Sequence, residues 1–191
     1  MKHTILYIPG LGDGYDSFRR NALKFWAVFG VRAILVPMRW DDQESYDSKY
    51  QRVIDAVENA SANNDKVTII GESAGGSMAI NAYAASPMVD KLITIAGVNT
   101  SSTPVAPYRL RRSPAFAVSR QNVAKSLATI SSSRMANVHT VSALADSVVR
   151  SHYSQIAGAV NHRVIAIGHF YTITLCLTLF SSYIIRLAKR V

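Results

Sequence analysis

The sequence predicts an α/β fold, a three-layer, doubly wound and mostly parallel sheet of about six strands. Three observations lead there. Short apolar runs alternate with longer helix-compatible stretches along the 191 residues. The runs are nearly continuous, as in Val67-Thr68-Ile69-Ile70, which suits strands buried on both faces. Proline and glycine punctuate their ends, at Pro9-Gly10, Pro37 and Pro87.

Residues 4–8 read as a buried strand stopped by Pro9-Gly10, and residues 17–29 as a helix with Phe18, Leu23, Phe25, Trp26 and Phe29 as its apolar positions. Residues 32–36 form the second strand. Residues 46–60 form a helix with Tyr50, Val53, Ile54 and Val57 on one stripe. The third strand, 67–70, leads into a helix over 74–86 that Pro87 cannot continue. The fourth strand is 91–96. A Pro-, Ser- and Arg-rich stretch over 99–114, a possible short flap with a basic rim, precedes a helix over 115–131. The fifth strand is 138–144, a short helix follows over 151–159, and the sixth strand is 164–167. A C-terminal helix closes the single expected domain, 1–191, with its core stripe on Ile173, Leu177, Phe180, Ile184 and Leu187; Leu175 and Leu179 fall on its opposite face.

Composition narrows the class. Apolar residues make up 49% of the chain and charged residues 17%, as in a globular protein. The lone Cys176 excludes an internal disulfide and, with no signal-peptide pattern at the start, suggests a cytoplasmic protein. The net charge of +9 is uneven: −2 over residues 1–90 and +11 over 91–191. No nucleic-acid-binding signature accompanies it, so solvated surface arginines are the expectation and nucleic acid is not an expected partner. The run 164–185 has the hydropathy of a membrane span. A span would consume the sixth strand, so a core helix is expected, with membrane contact through it a secondary possibility.

Chemistry concentrates at the ends of the strands. Gly71-Glu72-Ser73-Ala74-Gly75 stands between a strand and a helix, the context in which G-x-S-x-G places a serine on a sharp turn at the sheet's carboxyl edge. A serine hydroxyl needs a base, and the base needs a carboxylate that fixes its tautomer. Asp146 is the only acid after Asp90 and lies just past the fifth strand. His169 follows the sixth strand and Gly168, at the same edge. His3, His139 and His162 belong to the opposite edge, and His152 follows Asp146 closely. The oxyanion donors are expected from the Ala74 N–H and from the glycine-rich loop after the first strand, at Leu11 or, failing that, Gly12. That loop does not fit a dinucleotide turn, because Tyr15 and Ser17 stand where a third glycine is needed.

With serine, acid and histidine in that order, the chain resembles the α/β-hydrolase superfamily over nearly its whole length, as a small member without a cap. The resemblance implies a serine hydrolase, carboxylesterase-like, with Ser73 as nucleophile, His169 as base, Asp146 as its orienting acid, and Leu11 and Ala74 as oxyanion donors. It implies a small acyl substrate and neither cofactor nor metal. Two departures bear on subfamily: Pro9-Gly10 stands where many members have His-Gly, and the glycine-triplet oxyanion motif is absent. The alternatives are a non-catalytic binding protein on the same fold and a membrane-associated lipase or acyltransferase.

Overall fold

The computed structural model describes residues 3–62 and 65–189. Six strands form one sheet: β1 (His3–Ile8), β2 (Arg32–Leu35), β3 (Lys66–Glu72), β4 (Lys91–Ile95), β5 (Val138–Ala145) and β6 (Val160–Ile167). Their spatial order is β2-β1-β3-β4-β5-β6, and every pairing is parallel. The order reverses between β1 and β3, so the loops leaving these neighbours diverge and open a crevice at the sheet's carboxyl edge.

Nine helices accompany the sheet among the described residues: α1 (Asp16–Phe25), α2 (Tyr46–Ser61), α3 (Gly75–Ala85), α4 (Pro107–Arg112), α5 (Pro114–Thr129), α6 (Ser132–Met135), α7 (Ser151–Ser154), α8 (His169–Leu177) and α9 (Ser181–Lys189). The period-two geometry of β1 divides the core. Leu6 and Ile8 pack with Val53, Val57, Met78, Tyr83 and Phe116 of α2, α3 and α5. Ile5 and Tyr7 point the other way, into a second core with Leu23, Trp26, Ile173, Leu177, Ile184 and Leu187 of α1, α8, α9 and the turn after α1. Cys176 lies in this second core, where burial pushes its thiol up to about 12.

Four elements depart from the sequence reading. The short helix expected over 151–159 ends at Ser154, where Gln155 turns extended. The helix expected over 17–29 tightens into a 3₁₀ turn at Trp26–Phe29, closed by Gly30 at φ 69°. The sixth strand starts four residues early, at Val160, because polar Asn161, His162 and Arg163 suit an edge strand paired only on one side. His162 therefore lies within the sheet, stacked on His139 and hydrogen-bonded to the Tyr183 hydroxyl. The C-terminal helix is two helices, bent by 69° between α8 and α9. Thr178 breaks it, at φ −116° and ψ −91°, and the indole N–H of Trp26 takes the freed Leu177 carbonyl at 3.0 Å. The bend lets Ile173 and Leu177 on one arm and Ile184 and Leu187 on the other reach the same core. Leu175 packs against that core and does not oppose it, whereas Leu179 is exposed at the corner. Arg190 and Val191, the end of the expected helix, lie outside the described residues.

A buried polar cluster joins β1, α1 and β3. Glu72, at the end of β3, accepts from the Tyr7 hydroxyl, the Arg19 guanidinium and the Gly10 N–H. Arg19 also donates to Asp16 at 2.9 Å and to the Gly12 carbonyl at 3.0 Å. Burial, reinforced by the Glu72 charge, holds the Tyr7 phenol well above its ordinary value. Burial opposes the Arg19 charge, but the Glu72 carboxylate overcomes it and raises the guanidinium further. Removing one member of a buried ion pair strands the other. Glu72→Gln is therefore expected to lower unfolding free energy by about 3 kcal/mol in guanidinium titrations. Arg19→Met with Glu72→Gln should cost less than the two single losses added together.

Candidate active site

The turn after β3 dictates the site. Ser73 adopts φ 49°, a left-handed conformation that residues with a Cβ adopt only when their surroundings enforce it. The enforcement is visible. The Ser73 N–H donates to the Ile95 carbonyl at 3.0 Å, and its own carbonyl accepts from Gly76 at 3.0 Å and Val98 at 2.8 Å. Glycine is needed on either side. A Cβ on Gly71 would stand 2.5 Å from the Gly75 carbonyl oxygen, and one on Gly75 would run into the carbonyl of Ile8. Helix α3 can thus start directly behind the serine and turn its amino end toward the hydroxyl.

The structure brings the three separated side chains together. His169 Nε2 lies 2.8 Å from Ser73 Oγ, and His169 Nδ1 lies 2.7 Å from Asp146 Oδ2. The other Asp146 oxygen accepts the backbone N–H groups of Val148 and Val149, at 2.8 and 2.9 Å. Neighbouring strand ends supply the two partners. Ala145 pairs with Ile167, the Gly168 N–H donates to the Ala145 carbonyl at 2.8 Å, and Gly168 turns at φ 95° into α8. His169, expected in a loop, is the first residue of that helix. The His169 and Asp146 side chains are buried, at 3% and 1% exposure. Burial alone would push the Asp146 carboxyl up, but the His169 hydrogen bond and charge, with the two backbone donors, bring it below the usual carboxylate range.

Leu11 and Ala74 line the same cleft as Ser73. Gly12 borders the adjoining cleft, at φ 95°. The loop that carries Leu11 and Gly12 is held at three points: the Pro9 carbonyl accepts from the Trp40 indole at 2.8 Å, the Gly10 N–H donates to Glu72 at 3.0 Å, and the Gly12 carbonyl accepts from Arg19. Sequence reasoning missed this clamp. The available signal was an acid at the end of an otherwise apolar strand, next to the candidate nucleophile.

The cleft over Ser73 measures about 250 Å³. Its far wall comes from the 99–114 segment, which folds into α4 and contributes Thr103, Val105, Tyr108 and Arg109. Buried Asn99 anchors the start of this segment, donating to Thr94 and to the Ser154 carbonyl. Among the described lining residues Arg109 alone is charged. Its Nε donates to the Tyr108 hydroxyl at 3.0 Å, and no described carboxylate forms an ion pair with it. The other histidines serve elsewhere. His3 bonds Thr68 at 2.9 Å, His152 packs at a tilt against the Tyr153 ring, and His139 and His162 pair at 3.0 Å. Among the described residues, no group of three or more His, Cys, Asp or Glu side chains is placed to hold a metal ion.

No protein-family model matches the chain, and no curated protein matches it in sequence. Solved structures do. The metagenome-derived lipolytic enzymes LipS and LipT are represented at a TM-score of 0.68 and 11% identity, over 99% of this chain and 94% of theirs. Est1E from Butyrivibrio proteoclasticus superimposes at 0.66 with 14% identity, over 97% and 89% of the two chains. A bromoperoxidase from Bacillus anthracis superimposes at 0.64 with 14% identity, over 100% and 93%. These likenesses, together with the six-stranded parallel sheet and its strand order, establish that the chain has the α/β-hydrolase fold.

Proposed function

We propose that the protein is a serine hydrolase that cleaves a carboxylic ester through an acyl-enzyme on Ser73. The observation that carries this reading is the continuous chain from Ser73 Oγ through His169 to Asp146, at a turn held in a strained conformation. A fold alone supports many chemistries, and the bromoperoxidase neighbour is a reminder of it, so the proposal rests on the site.

Ser73 Oγ attacks the ester carbonyl carbon while His169 Nε2 takes its proton. The carbonyl oxygen becomes an oxyanion and accepts from the Leu11 and Ala74 N–H groups. As the C–O bond to the leaving group breaks, His169 returns the proton to the departing alkoxide. Water enters, gives a proton to His169 and attacks the acyl carbon, and Ser73 leaves with that proton. Asp146 keeps Nδ1 protonated, so that Nε2 presents its lone pair to the serine. Every group in this sequence belongs to the chain, the substrate or water.

The cleft indicates the substrate class. About 250 Å³ is at the small end for ligand sites and suits a modest acyl group. Leu11, Val98, Phe116 and Val149 offer it an apolar wall, and Arg109 offers a cation at the rim. An acyl chain ending in a carboxylate satisfies both.

Labelling by a fluorophosphonate probe tests the nucleophile. Wild type should label, Ser73→Ala should not, and p-nitrophenyl butyrate turnover should fall at least about a thousandfold. A folded wild type that neither labels nor turns over ester would sink the proposal and favour a binding protein. Asp146→Asn should lower kcat by roughly 10³–10⁴ with little change in KM, because the imidazole loses its tautomer. The stability from Asp146 is present above the ordinary carboxylate range and lost as pH falls through its depressed value. Asp146→Asn should therefore flatten the acid limb of the stability curve. Arg109→Ala should reduce kcat/KM about tenfold for the p-nitrophenyl monoester of succinate and leave the butyrate value nearly unchanged. Equal effects on both esters would remove Arg109 from specificity.

A further inference from the structure

We infer that the face formed by α1, its following turn, α8 and α9 docks on the surface of an anionic lipid bilayer. The helix that presents the proposed base is part of this face, since His169 opens α8.

The buried stripe of α1 and its turn runs through Arg19, Leu23 and Trp26. Phe18, Phe25 and Phe29 lie on a neighbouring stripe, one helical face apart, and all three are exposed. This stripe meets the C-terminal helices at its two ends. Phe18 shares an apolar groove with Phe170, Ile173 and Leu177 of α8 at one end. At the other end Phe29 shares a groove with Ile185 and Lys189 of α9, and the Lys189 ammonium donates to the Phe29 carbonyl at 2.8 Å. Phe25 stands between these ends, 74% exposed, and Leu179 is 72% exposed at the α8–α9 corner. Single exposed apolar residues are ordinary, but a run of large ones along one seam marks an interaction surface.

Charge identifies the occupant. The exposed charged side chains of these elements are Arg20, Lys24, Arg186 and Lys189, all cationic. Residues 16–29 contain one acid, Asp16, which is buried in its ion pair with Arg19, and residues 169–189 contain none. Aromatic and aliphatic side chains rimmed by unopposed cations match a headgroup layer with anionic lipids, where each cation strengthens binding roughly fivefold. Spanning is a different matter. Among the described residues no single helix is long and apolar enough to cross a membrane, and the bent pair commits Ile173, Leu177, Ile184 and Leu187 to the protein core. The face lies on a bilayer and does not cross it. Phe170 links the groove beneath Phe18 to the cleft beside Leu11 and Arg109, so docking sets the mouth of the site against the lipid surface.

Vesicle flotation of the full-length protein tests this, with phosphatidylcholine alone and with phosphatidylcholine containing phosphatidylglycerol. Wild type should float with the anionic vesicles and much less with the neutral ones. Phe25→Ser with Leu179→Ser should weaken flotation about tenfold or more, since both side chains would leave the lipid. Lys24→Glu with Arg186→Glu should weaken it at least about 25-fold on anionic vesicles and leave neutral vesicles unaffected. Both variants should keep the circular dichroism spectrum and melting temperature of wild type, which separates docking from folding and from the hydrolase reading. A wild type that stays with the buffer, or variants that float as well as wild type, would overturn the inference. So would a wild-type dimer in light scattering that Phe25→Ser converts to monomer, because the face would then belong to a second copy.

Discussion

The buried Glu72 carboxylate is the contact on which the rest of the site depends. It sits one residue before Ser73 and reaches across to the loop after β1, where it accepts the Gly10 N–H. Arg19 accompanies it and reaches the Gly12 carbonyl two residues on. The serine turn and the proposed oxyanion loop, 62 residues apart between Gly10 and Glu72, are thereby tied to one ion pair. An oxyanion donor is useful only when it is aimed before the charge develops, and a floppy glycine-rich loop could not provide that. The cost is a charge pair taken out of water. It is offset by close geometry and by a full set of partners, since the Tyr7 hydroxyl satisfies the second carboxylate oxygen.

Strain at Ser73 is met in the same manner, by surrounding contacts and not by the residue's own preference. The left-handed turn lifts the hydroxyl off the strand, while bonds to Ile95, Gly76 and Val98 keep the chain from relaxing. The His169–Asp146 pair arrives from the other side of β4, on β5 and β6, at the same edge. Each side chain therefore comes from a separate strand end, and the parallel sheet sets their spacing. Helix α8 adds rigidity to the proposed base. Its first residue is His169, and its Thr172 side chain and N–H both return to the Gly168 carbonyl.

How much of this could be read from the residues alone differs by level. The strands were legible because burial on both faces leaves nearly unbroken apolar runs, and five of the six lie within a few residues of where those runs fall. Of β6 only the apolar second half, 164–167, was legible, because an edge strand tolerates Asn161, His162 and Arg163, which hide its first half. The break at Thr178 was also hidden. Its neighbours are all helix-compatible, and the cause is tertiary, in the Trp26 indole and two core arms that need different directions. In the site, Ser73, Asp146 and His169 were legible through chain order and position after strands. Their hydrogen bonds, and the Glu72–Arg19 clamp across 53 residues, were not, because pairing between distant side chains leaves no local pattern.

The C-terminal helices carry two demands that a single straight helix could not meet. A straight amphipathic helix of this length would bury one stripe and leave a single opposite face to solvent. The bend at Thr178 turns both arms inward, so the buried stripe is preserved on each while Leu179 is forced out at the corner. The mean composition of the segment, which reads as a membrane span, therefore reflects two core arms plus a few exposed apolar residues. Because α8 begins at His169, its exposed flank belongs to the same helix that positions the imidazole. That flank is close to the site although it includes none of the three central side chains. The proposed docking face and the proposed base thus share one helix, α8.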